Sequence, residues 1–240
     1  MEYGIQMYSV RDFTEKDLEG ALYQVADMGY RYVEFAGFFG RSAEKVRDTL
    51  WCAGLKVSGT HTGWQEVAEH FEDTVRYHHT IGNTNIIVPG ADLSSQEKID
   101  AFVEMANKFQ PLLEKEGIRF GYHNHSHEFI PNQDGSLIYD NIVKRTNLML
   151  ELDTFWAFNA GRDPVKMMEE LKDRLTFIHI KDGFKGGEGM PLGQGEAPVA
   201  AVYKKAVEMG IPMVVESETL KPDGMTEARV CIEYLKSQEK

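Results

Sequence analysis

The chain has 240 residues, 42% of them hydrophobic, and a formal net charge of −12 at pH 7. This length allows one large α/β domain or two small ones. The acidic balance argues against nucleic acid and anionic membrane surfaces, because phosphate binding requires clustered lysine and arginine. No run of about 18 apolar residues is present to span a membrane, the first residues lack the apolar segment of a signal peptide, and the two cysteines form no CxxC pair. We therefore expect a cytoplasmic protein that binds a polar small molecule.

Short apolar segments alternate with amphipathic segments along the whole chain. The apolar segments predict eight β-strands, at residues 3–9, 31–36, 55–61, 84–89, 117–125, 147–153, 175–182 and 211–218. Helical periodicity, with Ser or Asp at several starts and Gly after several ends, predicts helices at residues 18–29, 42–54, 64–82, 94–117, 136–145, 163–173, 198–210 and 225–236. Strict alternation indicates a parallel sheet. Eight units predict the α/β class and a single (β/α)8 TIM-barrel domain over residues 1–240.

Polar side chains gather on the inner face of the last four predicted strands. Side chains alternate between the two faces of a barrel strand, and the apolar rows in these strands suit the surrounding helices. The inward positions of the four strands are then His123 and His125, Glu151 and Asp153, Phe177, His179 and Lys181, and Val214, Glu216 and Glu218. The carboxyl ends of barrel strands carry the active site in this architecture, so we expect a polar site there.

A divalent cation would offset the cost of burying these ionisable groups, which is several kcal/mol for each ion. Asp153, His179 and Glu216 are candidate ligands, and a fourth would come from the fifth strand or its loop. Each also has a structural interpretation: Asp153 could cap a helix, His179 could be a hydrogen-bonded core histidine, and Glu216 could pair with Lys181. Four such groups on adjacent strand ends favour the metal site. Carboxylates with one imidazole suit Mn²⁺, Mg²⁺, Co²⁺, Fe²⁺ or Zn²⁺.

Four motifs add a family resemblance. The segments YHNHSHEF (122–129), ELDTFWA (151–157), FIHIKD (177–182) and VVESE (214–218) resemble the sugar phosphate isomerase/epimerase family, within the xylose isomerase-like TIM barrels of the AP endonuclease family 2 superfamily. The resemblance implies one divalent metal held by Glu, Asp, His and Glu from strands five to eight, which carries over to Asp153, His179 and Glu216.

The fourth ligand departs from the family pattern. Many relatives carry a Glu on the fifth strand, where this chain has Tyr122 and His123. We expect Glu128 to fold back from the loop and fill the place, because it preserves the usual carboxylate. His123, which faces inward by alternation, is the alternative.

The resemblance implies an isomerase or epimerase that abstracts a proton next to the carbonyl of a sugar or keto-sugar and proceeds through an enediolate. A dehydratase or eliminase shares this first step and is the alternative. A DNA-repair nuclease on the same fold is disfavoured by the charge, and a non-catalytic binding protein by the retained ligand set. Barrels of this kind often form homo-oligomers.

Roles follow for the remaining candidate residues. Glu216 or His125 would act as the base, while Lys181 would steady a substrate oxygen or serve only as an ion-pair partner. The expected substrate-binding residues are Glu34, His61, His123 and Trp156.

Two other features receive simpler interpretations. His78 and His79 lie on a helical pattern and are expected at the surface. The Gly-rich loop at residues 184–198 could cradle an anion at a helix N-terminus or form a mobile rim. Since no strong phosphate-binding group is present, an unphosphorylated sugar or a sugar-derived keto acid fits at least as well as a sugar phosphate.

Overall fold

Eight parallel strands form a closed barrel in the computed structural model, which describes residues 1–239. We number the barrel strands in chain order: β1 Gly4–Gln6, β2 Tyr32–Phe35, β3 Lys56–His61, β4 Asn85–Val88, β5 Arg119–His123, β6 Met149–Asp153, β7 Leu175–Ile180 and β8 Met213–Val215. Strand β1 pairs with both β2 and β8, which closes the barrel. The predicted eight-stranded α/β barrel is confirmed.

Helices surround the barrel. The α-helices span Arg11–Thr14, Leu18–Met28, Ala43–Ala53, Trp64–Glu69, Phe71–Ile81, Gln96–Lys115, Ile138–Arg145, Thr154–Asn159, Pro164–Glu170, Val199–Met209 and Gly224–Gln238. Short 3-10 helices span Met7–Val10 and His127–Phe129. Many helix starts are capped by side-chain oxygens, as the sequence indicates; the capping residues include Asp17, Ser42, Ser95, Asp163 and Asp223.

Several predicted elements differ from the structure in their extent. The first strand, predicted over 3–9, ends at Gln6 because the Gln6 side chain accepts a hydrogen bond from the Tyr8 amide and starts a 3-10 turn. The helix predicted over 64–82 is broken at His70, whose backbone is not helical. The fifth strand ends at His123, so His125 lies in the following loop.

Apolar side chains fill the space between strands and helices. The outward residues Leu152, Ile178 and Ile180 belong to one buried cluster that includes helix residues, while Leu150 belongs to a second. The residues next to them in the sequence, such as Asp153 and His179, point the other way, into the barrel. There, His179 Nδ1 lies 4.0 Å from Asp153 Oδ2. The inward and outward faces predicted for these strands are confirmed.

The barrel interior has an apolar floor beneath its polar end. Ile87, Phe177 and Val214 form a separate buried cluster. Gly59 of β3 makes room for it, because a Cβ at this position would lie 2.8 Å from the Phe177 ring. Phe177 and Val214 each lie two residues before a polar inward residue of the same strand, so the floor supports the layer that carries the site.

Candidate metal centre and active site

Four side chains from the carboxyl ends of β5 to β8 converge on one point. His123, Asp153, His179 and Glu216 each offer a ligand atom, and these four atoms all lie within 4.8 Å of one another. Asp153 Oδ2 is 3.7 Å from His123 Nε2 and 4.0 Å from His179 Nδ1, and Glu216 Oε2 is 3.3 Å from His179 Nδ1. Three of the predicted ligands are therefore adjacent, and His123 completes the group.

The unsatisfied atoms of this group fit a cation. Metal–ligand bonds of about 2.0–2.2 Å place two donors on one ion at most about 4.4 Å apart, and the three distances above meet that limit. Neither ring nitrogen of His123, nor Asp153 Oδ2, has a hydrogen-bond partner among residues 1–239, although all are buried. Buried polar atoms are normally paired. Burial also lowers the pKa of His123, which favours the neutral imidazole that a metal binds.

Asp153 serves two purposes with its two oxygens. Its Oδ1 accepts a hydrogen bond from the Trp156 amide at 2.8 Å and caps the helix Thr154–Asn159, while its Oδ2 faces the cluster. Asn124 fixes its backbone: Asn124 Nδ2 donates to the Asp153 carbonyl, and the Asp153 amide donates to Asn124 Oδ1. The helix-cap interpretation and the ligand interpretation of Asp153 are therefore compatible.

Glu128 lies in a different group. Its carboxylate is fully buried and accepts hydrogen bonds from the Tyr122 hydroxyl at 3.0 Å and from the His125 amide at 2.8 Å. His127 Nε2 lies 3.2 Å from the same carboxylate. These contacts tie the loop after β5 to its own strand and lower the pKa of Glu128 through its histidine neighbours, against the opposing effect of burial. The geometry thus brings His123, and not the expected Glu128, to Asp153.

Lys181 lies beside the cluster and is almost completely buried. Its Nζ is 3.2 Å from Glu216 Oε2, 3.9 Å from Asp153 Oδ2 and 2.5 Å from Glu218 Oε2. Burial alone would lower the pKa of Lys181, but Glu216, Asp153 and Glu218 together raise it above its ordinary value. Lys181 is therefore a cation surrounded by three carboxylates, and it also lies 4.5 Å from the centre of the Trp156 ring.

A second polar layer lies below the cluster. His179 Nε2 is 2.6 Å from Glu34 Oε2 and 3.0 Å from Glu151 Oε1, and His61 Nε2 is 2.8 Å from Glu151 Oε2. Gln6 Nε2 donates to Glu34 at 2.9 Å. These contacts orient the His179 ring so that Nδ1 faces Asp153 and Glu216. Glu34 and His61 thus support the cluster from below, and His61 also borders the central cavity described next.

Ionisation in this layer is unequal. Burial, followed by the charge of Glu151, raises the pKa of Glu34 to about 7. Burial also opposes ionisation of Glu151, but His179 and His61 lower its pKa below the ordinary value. The pKa of His179 is raised against the effect of burial by the carboxylates around it. In this layer the ionised form is therefore favoured for Glu151 and His179 and disfavoured for Glu34.

A cavity of about 340 Å³, here called the central cavity, opens above the cluster. Its walls are formed by Tyr8, Ala36, His61, Pro89, His123, His125, Glu216 and Glu218. The His125 ring packs edge-on against the His123 ring at 4.9 Å, and its buried Nδ1 has no hydrogen-bond partner within the described chain. Sequence reasoning missed Tyr8, because the first strand was predicted to continue through it.

The Gly-rich loop encloses an anion that belongs to the chain itself. The buried Asp182 carboxylate accepts hydrogen bonds from the amides of Gly183, Gly193, Gly195 and Ala197 at 2.8–3.1 Å. Two short strands, Asp182–Gly183 and Gly189–Met190, form a hairpin in the same loop. The amides of this loop therefore do bind an anion, and that anion is the Asp182 carboxylate of the chain itself.

The expectation that His78 lies at the surface is wrong. Its side chain is buried, with Nδ1 2.7 Å from the Thr74 carbonyl and Nε2 2.8 Å from the Thr60 hydroxyl. The burial pattern of its helix, with Thr74, His78 and Ile81 on one face, gives the reason. His79 is exposed, as expected.

Comparison with known families agrees with this architecture. A family model described as the xylose isomerase-like TIM barrel matches residues 22–238. The chain therefore belongs to the xylose isomerase-like TIM barrel family, and the predicted resemblance is confirmed. No helix within residues 1–239 is both long and apolar enough to cross a membrane.

Individual relatives include isomerases and a dehydratase. The structure of a sugar phosphate isomerase/epimerase from Parabacteroides distasonis matches with a TM-score of 0.84 at 25% identity, over 97% of this chain and 96% of the other. An L-ribulose 3-epimerase shares the fold with a TM-score of 0.72 at 16% identity, over 99% and 94% of the two chains. An inosose dehydratase from Geobacillus kaustophilus is 22% identical over 189 residues, or 67% of this chain, and the match spans 60% of that relative's length.

Proposed function

We propose that this chain, as one (β/α)8 domain over residues 1–240, is a divalent-metal-dependent isomerase or epimerase. Its substrate would be a sugar or a sugar-derived hydroxy-ketone. The observation that carries the proposal is the convergence of His123, Asp153, His179 and Glu216 on one point, with His123 and Glu216 in the wall of the central cavity. Relatives whose names describe isomerases and epimerases support it.

We assign the metal to these four residues, with His123 in place of the expected Glu128. The Glu128 carboxylate already binds Tyr122 and the loop amide, whereas both His123 nitrogens are buried without partners among residues 1–239. Two imidazoles and two carboxylates favour Mn²⁺, Fe²⁺, Co²⁺ or Zn²⁺ over Mg²⁺, which prefers oxygen ligands. A divalent ion held there would polarise the carbonyl of a hydroxy-ketone and stabilise an enediolate.

His125 is the better placed of the two candidate bases. Glu216 Oε2 already accepts a hydrogen bond from Lys181 and faces His179, so it is engaged within the cluster. His125 borders the same cavity, and its Nδ1 is buried 3.9 Å from Glu128 Oε1, which leaves Nε2 as the atom that would take the proton. We therefore assign proton abstraction to His125 and the ligand role to Glu216. Lys181, charged and directed at the cluster, would orient a substrate oxygen.

A dehydratase is the second candidate, and a named relative favours it. The match to an inosose dehydratase associates a similar sequence with an enzyme whose name describes loss of water. Elimination begins with the same proton abstraction, and the His125 imidazolium formed in that step could then return its proton to the departing hydroxyl. The two functions differ only in the fate of the enediolate.

The substrate is expected to lack a phosphate. Lys181 is balanced by three carboxylates, and the Arg11 guanidinium donates to the main-chain carbonyls of Tyr8 and Glu218. Phosphate recognition normally uses cations or several free amides. We infer a neutral keto-sugar.

Deuterium exchange tests the shared first step without knowledge of the product. Metal-loaded protein is incubated in D2O with a panel of ketoses and keto-sugars, and NMR follows exchange at the carbon next to the carbonyl. We expect exchange that EDTA abolishes and that His125→Asn slows by about 10²–10⁴-fold. New absorbance of a conjugated ketone would identify the dehydratase.

His127→Asn is the matched control, because His127 lies in the same loop, more than half exposed, and does not border the central cavity. It should leave the exchange rate unchanged. Absence of exchange with every substrate, from protein shown to hold its metal, would contradict the proposed function.

A further inference from the structure

A second cavity, here called the outer cavity, adjoins the central cavity on the side of β8. It has a volume of about 310 Å³ and is lined by Trp156, Glu188, Gly189, Glu218, Thr219 and Lys221. Glu218 borders both cavities. The Trp156 ring of the outer cavity lies 6.0 Å from the His125 ring of the central cavity. The two cavities therefore meet at Glu218 and at the Trp156–His125 pair.

The two cavities together provide nearly twice the volume of the central cavity alone. Sites for small molecules commonly measure roughly 300–1,000 Å³, and the central cavity alone, at about 340 Å³, lies at the lower end of that range. The outer cavity nearly doubles the space beside the cluster. A molecule that fills both is longer than one sugar ring.

The chemistry of the outer cavity favours a neutral, hydroxyl-rich group. Trp156 provides an aromatic surface for apolar C–H groups. Glu188 and Lys221 form an exposed ion pair at 2.5 Å, so the ammonium is already balanced. Because Glu218 adds a second carboxylate, an anionic group such as a phosphate would meet more negative than positive charge. Hydroxyl groups can donate to these carboxylates.

The wall of the outer cavity is held in place from behind. The buried Glu227 carboxylate accepts hydrogen bonds from the Ser217 and Thr219 hydroxyls and from the Lys221 amide. Between them Leu220 has a φ of 55°, a left-handed conformation that a non-glycine residue adopts only when its surroundings impose it. The segment 217–221 is thus a preformed wall.

We propose that the outer cavity binds a second sugar ring, or a similar neutral polyhydroxylated group, joined to the sugar that reacts over the metal cluster. The preferred substrate is then a glycoside or disaccharide derivative, and a free monosaccharide fills the central cavity alone and binds more weakly. This inference rests on the proposed function, because it assigns the reacting ring to the central cavity.

Binding of unreactive sugars tests the subsite without turnover. Calorimetry on Mn²⁺-loaded protein compares glucose and methyl glucoside with maltose, cellobiose, lactose, trehalose and sucrose. We expect at least one disaccharide to bind about tenfold or more tightly than the monosaccharides. Gly189→Phe should abolish this preference by filling the outer cavity, since a Cβ at Gly189 meets nothing closer than 3.6 Å. Lys221→Ala, which removes part of the wall of the outer cavity, should weaken binding of the same disaccharide.

Lys185→Ala is the matched control, because Lys185 lies in the same loop as Gly189 and does not line the outer cavity. This variant should keep the preference for the disaccharide. The inference is overturned if no disaccharide is preferred, or if Gly189→Phe, shown to be folded by its thermal unfolding, keeps the preference. Such a result leaves the deuterium exchange of monosaccharides intact. Failure of the proposed function instead shows as absence of exchange with every keto-sugar.

Discussion

Replacement of Asp153 separates its two roles. Asn keeps an oxygen that can cap the helix Thr154–Asn159, since Asn and Asp are similarly good N-caps, but it removes the charge of the oxygen that faces His123 and His179. Ala removes both the cap and the ligand. We therefore expect Asp153→Asn to lose metal affinity at little cost in metal-free stability, and Asp153→Ala to lose both.

The size of each effect follows from these contacts. Removing one member of a buried charge group costs about 3 kcal/mol or more, which corresponds to about a hundredfold in Kd for the metal. Loss of the cap in Asp153→Ala costs about 1 kcal/mol of metal-free stability. At a metal concentration of 100 times the wild-type Kd, the metal stabilises the wild-type fold by about 2.7 kcal/mol. The same concentration stabilises Asp153→Asn by only about 0.4 kcal/mol.

Denaturant unfolding with and without Mn²⁺ measures both quantities in one experiment. The free energy of unfolding without metal measures the contribution of the helix cap. The increase in that free energy on adding Mn²⁺ measures the contribution of Asp153 as a metal ligand. The reasoning is refuted if Asp153→Asn keeps the full metal-induced shift, or if Asp153→Asn and Asp153→Ala are equally destabilised without metal.

Two further predictions concern stability away from the metal. Gly195→Ala should cost about 1–3 kcal/mol by overpacking, because its Cβ would lie 2.3 Å from the Asp182 carboxylate, while Gly63→Ala, with nothing closer than 3.6 Å, should cost less than 1 kcal/mol; unfolding curves that show equal costs would contradict this. Burial lowers the pKa of His78 to about 4 from its ordinary 6.5, so only the unfolded chain takes up that proton between these pH values. Stability of metal-free protein should then fall by up to about 3 kcal/mol from pH 6.5 to pH 4, and this part of the pH dependence should be absent in His78→Gln.

Residues within the strands, or directly after their last residue, could be placed from the sequence. Phe177, His179 and Lys181 face the barrel axis because a strand reverses its side chains at every residue, and the regular pattern of β7 shows this directly. Asp153 and Glu216 follow by the same rule. The sequence could not decide between cap and ligand for Asp153, because one carboxylate has two oxygens and can do both.

Residues several positions beyond a strand end could not be placed in this way. Strand β5 ends at His123, and the 3-10 helix His127–Phe129 returns Glu128 to its own strand, where the Tyr122 hydroxyl binds it. Alternation carries no information about such a turn, so the family pattern alone selected Glu128, whereas the geometry brings the inward His123 to Asp153. The prediction for His78 was wrong for a different reason. It relied on the polar character of histidine, although helical spacing places His78 on the same buried face as Thr74 and Ile81.

The outer cavity was not visible in the sequence at all. Its lining comes from the short helix after β6, the hairpin after β7 and the segment after β8. Segments so far apart meet only because the barrel brings its strand ends to one face. The shape of a substrate site is therefore a property of loop conformations that local patterns do not specify.

Direct titration of Mn²⁺ and Zn²⁺ into metal-free protein tests the central claim, that His123 completes a single metal site. Calorimetry on the wild type, His123→Ala and Glu128→Gln gives the number of sites and their Kd. We predict one tight site per chain, a Kd raised about a hundredfold or more by His123→Ala, and a Kd within a few-fold of wild type for Glu128→Gln. A wild type without a tight site, or a site that survives loss of His123 and fails with Glu128→Gln, would contradict the assignment.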